Sequence, residues 1–155
     1  MFGSKNDFFN QETAILISKR NRLEFLLKEV WNRSDEVVAF YLKAYDYFGE
    51  NPSDYDGATI VKDLNIMPGL DVHAMIHDYM YLAYNVASDV KYKYKADLIY
   101  AYEMEKMGGS AYSTWSRFAG LTTFGFFFYL FKKLTGKKMT DRNKQNFDKI
   151  FKIFK

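Results

Sequence analysis

DVHAMIHDYMY, from Asp71 to Tyr81, and KADLIYAYEM, from Lys95 to Met104, decide how this chain is read. In the first segment Ala74, His77 and Tyr81 follow one another at steps of three and four residues, so on a helix they share one stripe. In the second, Asp97, Tyr100, Ala101 and Met104 stand at i, i+3, i+4 and i+7, a helical stripe that is apolar apart from its acid. Asp97 therefore points toward a core. Burying a carboxylate without a partner is costly, so Asp97 needs a hydrogen-bonded or charged neighbour, and His77 is the nearest suitable one. The two segments are predicted to be packed antiparallel helices with His77 and Asp97 facing each other.

Working outward, Leu23, Leu26, Leu27 and Val30 continue the three-and-four rhythm begun at Ile15 and Leu16, which predicts an amphipathic helix over 12–31. A second helix is expected from Ser34, as N-cap, to Phe48. GENPSDYDG, 49–57, collects turn formers and reads as a loop, and Pro68 and Gly69 make another break, after which Asp71 is expected to cap a helix to Ala87. Ser88 to Lys95, with its alternating Lys and Tyr, reads as a polar connection, followed by a helix from Ala96 to Met107 closed by Gly108, Gly109 and Ser110. From Phe118 to Phe131 no residue is charged, but this run is short of the roughly 20 apolar residues that a spanning helix needs. A buried core helix is the expectation there, with an interfacial or membrane-inserting segment as the alternative. Thr140 to Lys155 reads as a last amphipathic helix with Phe147, Ile150, Phe151 and Phe154 on one side. Strand alternation is scarce, so the fold class is all-α.

A chain of 155 residues is the size of one domain and can bury a core without disulfides or a structural metal. There is no Cys, which removes thiol nucleophiles, thiolate metal sites and disulfide frameworks together. With 15 Phe and 13 Tyr, the apolar content is carried by large flat side chains. The N-terminal MFGSKNDFFNQE is polar and of mixed charge, without the basic and apolar regions of a secretory signal, so the chain is expected to be made and used without that export route. The net charge of +3 is uneven: Lys132 to Lys155 holds nine Lys or Arg against two acids. Such an end suits an anionic partner, a phospholipid surface or nucleic acid, or is simply a solvated face.

A His paired with a buried Asp has its tautomer set and its imidazolium stabilised, which is what a general base toward water requires. Asp78, about 100° around the helix from His77, is placed to hold a cation beside whatever that ring activates. YDGAT, 55–59, offers a tight turn whose carbonyls suit calcium. A plain structural pairing of His77 and Asp97 is the competing reading. A zinc site from His73, His77 and Asp97 is a weaker one, because a Glu is missing after the first His. Lys91 to Lys95, KYKYK, reads as solvated rather than as a nucleic-acid platform.

Together these residues resemble the calcium-dependent phospholipase A2 family, whose active helix carries HDxxY, and within it the short cysteine-free domains of parvovirus capsid proteins. The resemblance rests on Asp71, Ala74, His77, Asp78 and Tyr81, on Ala96 and Asp97 after Tyr92 and Tyr94, and on YxG at Tyr55 and Gly57. It covers 55–107, the catalytic core of a single domain spanning 1–155, with 112–155 as an aromatic and basic extension. Where the family loop reads YxGxG or YxGP, Ala58 and Thr59 follow Gly57 here, and 67–70 is a second candidate loop.

The resemblance implies hydrolysis of the sn-2 ester of membrane glycerophospholipids. It casts His77 as the water-activating base, Asp97 as its partner, Tyr81 as a hydrogen-bonding support of Asp97, and Asp78 with Tyr55 and Gly57 as the calcium site. Phe126, Phe127, Phe128, Lys132 and Lys133 are expected to meet the phospholipid surface. Virion proteins are expected partners, and nucleic acid is not. The rival from another class is a non-enzymatic helical virion protein that keeps the His/Asp pair as core.

Overall fold

The computed structural model describes residues 19–50 and 70–155, with side chains described outside positions 50, 70, 71, 124–128 and 131–135. The predicted calcium-loop residues Tyr55 and Gly57, the 49–57 loop beyond Glu50 and the start of the first predicted helix lie outside the described residues. So do the side chains of Phe126, Phe127, Phe128, Lys132 and Lys133.

Helix α1, 19–25, runs directly into a π-helical turn, Leu26–Val30. Leu23 and Leu27 are fully buried as their spacing predicts, but Val30 is exposed. The wider π turn rotates each residue less than an α turn does, so Val30 falls off the stripe that a uniform helix would have kept. Asn32 then takes the left-handed conformation (φ 48°) and turns the chain into α2, Asp35–Glu50. Ser34 is the expected start signal: its Oγ accepts from Val37 N at 3.4 Å.

Helix α3, Leu70–Tyr84, holds the first motif, so Asp71 stands within its first turn. It ends earlier than the sequence suggests, at Asn85 (φ 53°), and a single 3-10 turn, Val86–Ser88, leads to α4, Val90–Lys106. The polar connection expected over Ser88 to Lys95 is thus mostly helix. Asp89 caps it by accepting from Lys91 N at 3.0 Å, and this moves Lys93 one helical turn before Asp97. His73 meets Tyr100, and His77 and Tyr81 meet Asp97. Early positions of α3 face late positions of α4, so the pair is antiparallel as expected.

The end of α4 matches its sequence closely. Gly108 takes φ 91° and its N–H bonds to Glu105 O at 3.0 Å, while Gly109 N bonds to Met104 O at 2.9 Å, a Schellman closure. Helix α5, Ala111–Thr135, follows, and α6, Asp141–Phe154, begins at Thr140, whose Oγ1 accepts from Asn143 N at 3.1 Å. The chain is all-α: among the described residues there is no strand.

The core gathers one face of α2 and α3, the inner face of α4 and the apolar side of α6. Phe154 packs edge-on against Phe40 at 5.3 Å, and Phe147 lies 5.9 Å from both Tyr84 and Tyr92. The last helix therefore closes the core in the way its amphipathic pattern predicts. Helix α5 departs from expectation. Among its described side chains only Thr114 is buried, while Tyr112, Trp115 and Leu130 are exposed, so the described part of this helix lies at the surface; the side chains at 124–128 and 131 of the aromatic segment lie outside the described residues. No described helix is long and apolar enough to cross a membrane.

A Cβ at position 109 would lie 2.8 Å from Met104 O and 2.9 Å from Met104 Cγ. Gly109→Ala is expected to destabilise the protein by about 1–3 kcal/mol through this overpacking. Gly108→Ala should cost about 1–2 kcal/mol for forcing an L-residue into the left-handed region. Both are measured by urea unfolding.

Candidate active site

Antiparallel packing of α3 on α4 brings His77, Tyr81 and Asp97 together at one point. Asp97 is fully buried, and His77 is 7% exposed. His77 Nε2 lies 2.8 Å from Asp97 Oδ1, and Tyr81 OH donates to the same oxygen at 3.0 Å. The imidazole is seated against the Tyr81 ring at 4.5 Å and edge-on to Tyr100 at 5.6 Å, which restricts its rotation. With Nε2–H donating to Asp97, the lone pair is on Nδ1, the nitrogen directed toward Asp78, whose Oδ1 is 3.6 Å away. That separation is too long for a hydrogen bond and short enough for a strong electrostatic contact. The Asp78 carboxylate is half exposed, unlike that of Asp97.

Burial pushes the His77 pKa down, but Asp78 and Asp97 beside it outweigh burial, and the net shift is upward. For Asp97, burial pushes up, and hydrogen bonds from His77 and Lys93 more than compensate, so its carboxyl is held below the ordinary aspartate value. The Tyr81 hydroxyl is driven upward by burial and by Asp97, and stays a donor.

Lys93 is the site residue that the sequence reading missed. It is 3% exposed, and its Nζ sits 2.6 Å from Asp97 Oδ2. KYKYK read as a solvated connection hides this, whereas starting α4 at Val90 makes Lys93 and Asp97 an i, i+4 pair. Lys93 closes the charge of Asp97 locally, so the carboxylate is balanced even when His77 is neutral.

A second buried acid on the same helix was also missed. Glu103, fully buried, accepts from Arg33 Nε at 2.9 Å, from Arg33 Nη2 and from Tyr41 OH at 3.0 Å. Its position, seven residues after Ala96 and four after Ile99, places it on the buried face. This network joins the turn after the π segment to α4 and has no group near His77 Nδ1.

Of the residues predicted to hold calcium, Asp78 is the one described. Its half-exposed carboxylate lies 3.6 Å from His77 Nδ1, and among the described residues no other ion pair engages it, so its chemistry suits one oxygen ligand. Among the described residues no group of three His, Asp or Glu side chains is gathered as a metal cluster. His73 is 1% exposed, and both of its ring nitrogens lack a hydrogen-bond partner. Its ring lies edge-on to Tyr100 at 5.0 Å. An open groove of about 470 Å³, lined by residues such as Arg20, Leu42, Asp46 and Tyr79, contains none of His77, Tyr81, Lys93 and Asp97.

Burial, reinforced by Arg117, lowers the His73 pKa from 6.5 to about 4. The unfolded chain then takes up a proton that the folded chain refuses. Stability is expected to fall as pH drops from 6.5 toward 4, by roughly 3 kcal/mol in all. His77, whose folded value is raised, contributes fully below 6.5, and Asp97, whose folded value is depressed, loses its contribution only below 3.8, so neither masks this window. Urea unfolding at a series of pH values should show a shallower acid slope for His73→Phe than for the native protein.

No protein-family model, curated protein or solved structure matches this chain.

Proposed function

We propose that the chain is a calcium-dependent phospholipase A2-like hydrolase that cleaves the sn-2 ester of glycerophospholipids at a membrane surface. The observation that carries this reading is the hydrogen bonding around one oxygen. Asp97 Oδ1 receives both His77 Nε2 and Tyr81 OH, which leaves Nδ1 free beside the half-exposed Asp78. In this arrangement Nδ1 takes a proton from water while the water oxygen attacks the ester carbonyl, and Asp97 stabilises the imidazolium formed. The same proton then passes to the departing glycerol oxygen, giving a fatty acid and a lysophospholipid. Calcium held by Asp78, with Tyr55 and Gly57 of the YDGAT loop, would polarise the ester carbonyl and stabilise the oxyanion.

Contact with lipid is assigned to α5 and the basic end of the chain. Tyr112 is 87% exposed, and Trp115 and Leu130 are both 41% exposed. Aromatic side chains of this kind favour the headgroup level of a bilayer. Phe126, Phe127, Phe128, Lys132 and Lys133 continue this helix, and α6 adds exposed Arg142, Lys149 and Lys152. A virion setting, with virion proteins as partners, rests on the resemblance to parvovirus domains.

One observation favours a second reading, a non-enzymatic helical virion protein. Lys93 satisfies Asp97 through a buried ion pair, which a purely architectural core would also require.

Release of fatty acid from mixed phospholipid micelles separates the two. The native chain is expected to release it from the sn-2 position with calcium and to stop with a chelator. His77→Ala should slow release by at least about 100-fold, and Asp78→Asn should remove calcium binding and turnover together. No release from the folded protein at any calcium concentration would transfer the assignment to the structural reading.

A further inference from the structure

Lys93 has a second contact that its charge alone does not require. Its Nζ, 2.6 Å from Asp97 Oδ2, also lies 3.4 Å from the backbone oxygen of Leu121 on α5. Asp97 is thus gripped from both sides: His77 and Tyr81 share Oδ1, and Lys93 holds Oδ2. A carboxylate can rotate about its last bond, and rotation here would exchange the oxygen facing His77 for one already committed to an ammonium. Lys93 prevents that exchange. We propose that Lys93 is a positioning residue of the site, which locks Asp97 with Oδ1 on His77 and ties that orientation to helix α5 through the Leu121 carbonyl. The inference rests on the hydrolase reading for its effect on turnover, and on geometry alone for its effect on the pair.

The anchoring to α5 gives the lock a direction. Thr122 and Thr123, which follow Leu121, turn their hydroxyls back onto Phe118 O and Ala119 O, at 2.9 and 2.8 Å. One turn earlier, Phe118 packs edge-on with Tyr94 at 5.8 Å and with Trp115 at 5.4 Å. The helix that exposes Trp115 and Tyr112 is therefore the helix that completes the coordination of Lys93. Lys93 touches neither Nδ1 nor the space beside Asp78, so its influence on the reaction passes through Asp97. A loss of Lys93 should accordingly act on kcat and leave KM little changed.

The experiment uses the full chain with Lys93→Gln, which keeps a donor and removes the charge, and Lys93→Arg, which keeps both. The first readout is the downfield proton resonance of His77 Nε2–H, which persists only while that hydrogen bond shields it from exchange with water. It is expected in the native chain and in Lys93→Arg, and is expected to be lost in Lys93→Gln. The second is fatty-acid release from vesicles of phosphatidylcholine and phosphatidylglycerol with calcium. Here Lys93→Gln should lower kcat at least about tenfold with KM within about threefold, and Lys93→Arg should recover most of kcat. The third uses only the native protein, by reductive methylation and mass spectrometry. Exposed Lys91 is expected to be modified, and Lys93 protected.

A persistent Nε2–H signal or native kcat in folded Lys93→Gln would overturn the inference, as would ready methylation of Lys93. If the native chain releases no fatty acid but its Nε2–H signal depends on Lys93, the hydrolase reading fails and the positioning of the pair stands.

Discussion

The buried carboxylate of Asp97 is the constraint on which this structure depends. A charge placed there needs donors on both oxygens, and the chain supplies them from two helices: His77 and Tyr81 from α3, Lys93 from α4 itself. Each donor then acquires a position it would not otherwise hold. The imidazole is fixed in one tautomer, the tyrosine hydroxyl is kept protonated, and the lysine is drawn inward until it reaches the backbone of α5. Removing any one partner leaves part of a buried charge unsatisfied, which is why such clusters hold their geometry tightly.

Helix α4 carries two such acids, and their surroundings differ. Glu103 is held on both oxygens by Arg33 and on one of them also by Tyr41, and it is fully buried. Asp97 is closed too, but one of its partners is an imidazole with a second nitrogen, and that nitrogen looks toward a carboxylate with access to solvent. The same device of burying an acid against donors therefore staples the segment around Arg33 to the fold at one end of α4 and fixes an imidazole beside a solvent-accessible carboxylate at the other.

Much of this was legible from spacing. The stripes of α3 and α4 announce the pairing of His77 with Asp97, Ser34, Thr140 and the two glycines after Met107 mark helix ends, and the apolar side of 140–155 identifies the helix that seals the core. The errors have particular causes. Alternating Lys and Tyr in 91–95 masked a helical turn, because Lys93 is polar by type and buried by circumstance. The uncharged 118–131 segment was expected inside the core, yet its described side chains from Phe118 to Thr123 are half-buried or exposed, because composition does not say which face of a helix has a neighbour. The outward turn of Val30 follows from a π turn that no residue type signals.

Sequence by itself determined what local physics controls: helical periodicity, the residues that cap and break helices, and the placement of an acid on an apolar stripe with a histidine as the available partner. Only the tertiary structure decided which charges are shared. Whether Lys93 lies in water or on Asp97, whether His73 finds a partner, and whether Glu103 meets Arg33 depend on contacts between residues far apart in the chain or on where one helix begins. Those contacts are set by the packing of whole faces, and in a buried setting a shift of a few ångströms separates a satisfied charge from a costly one.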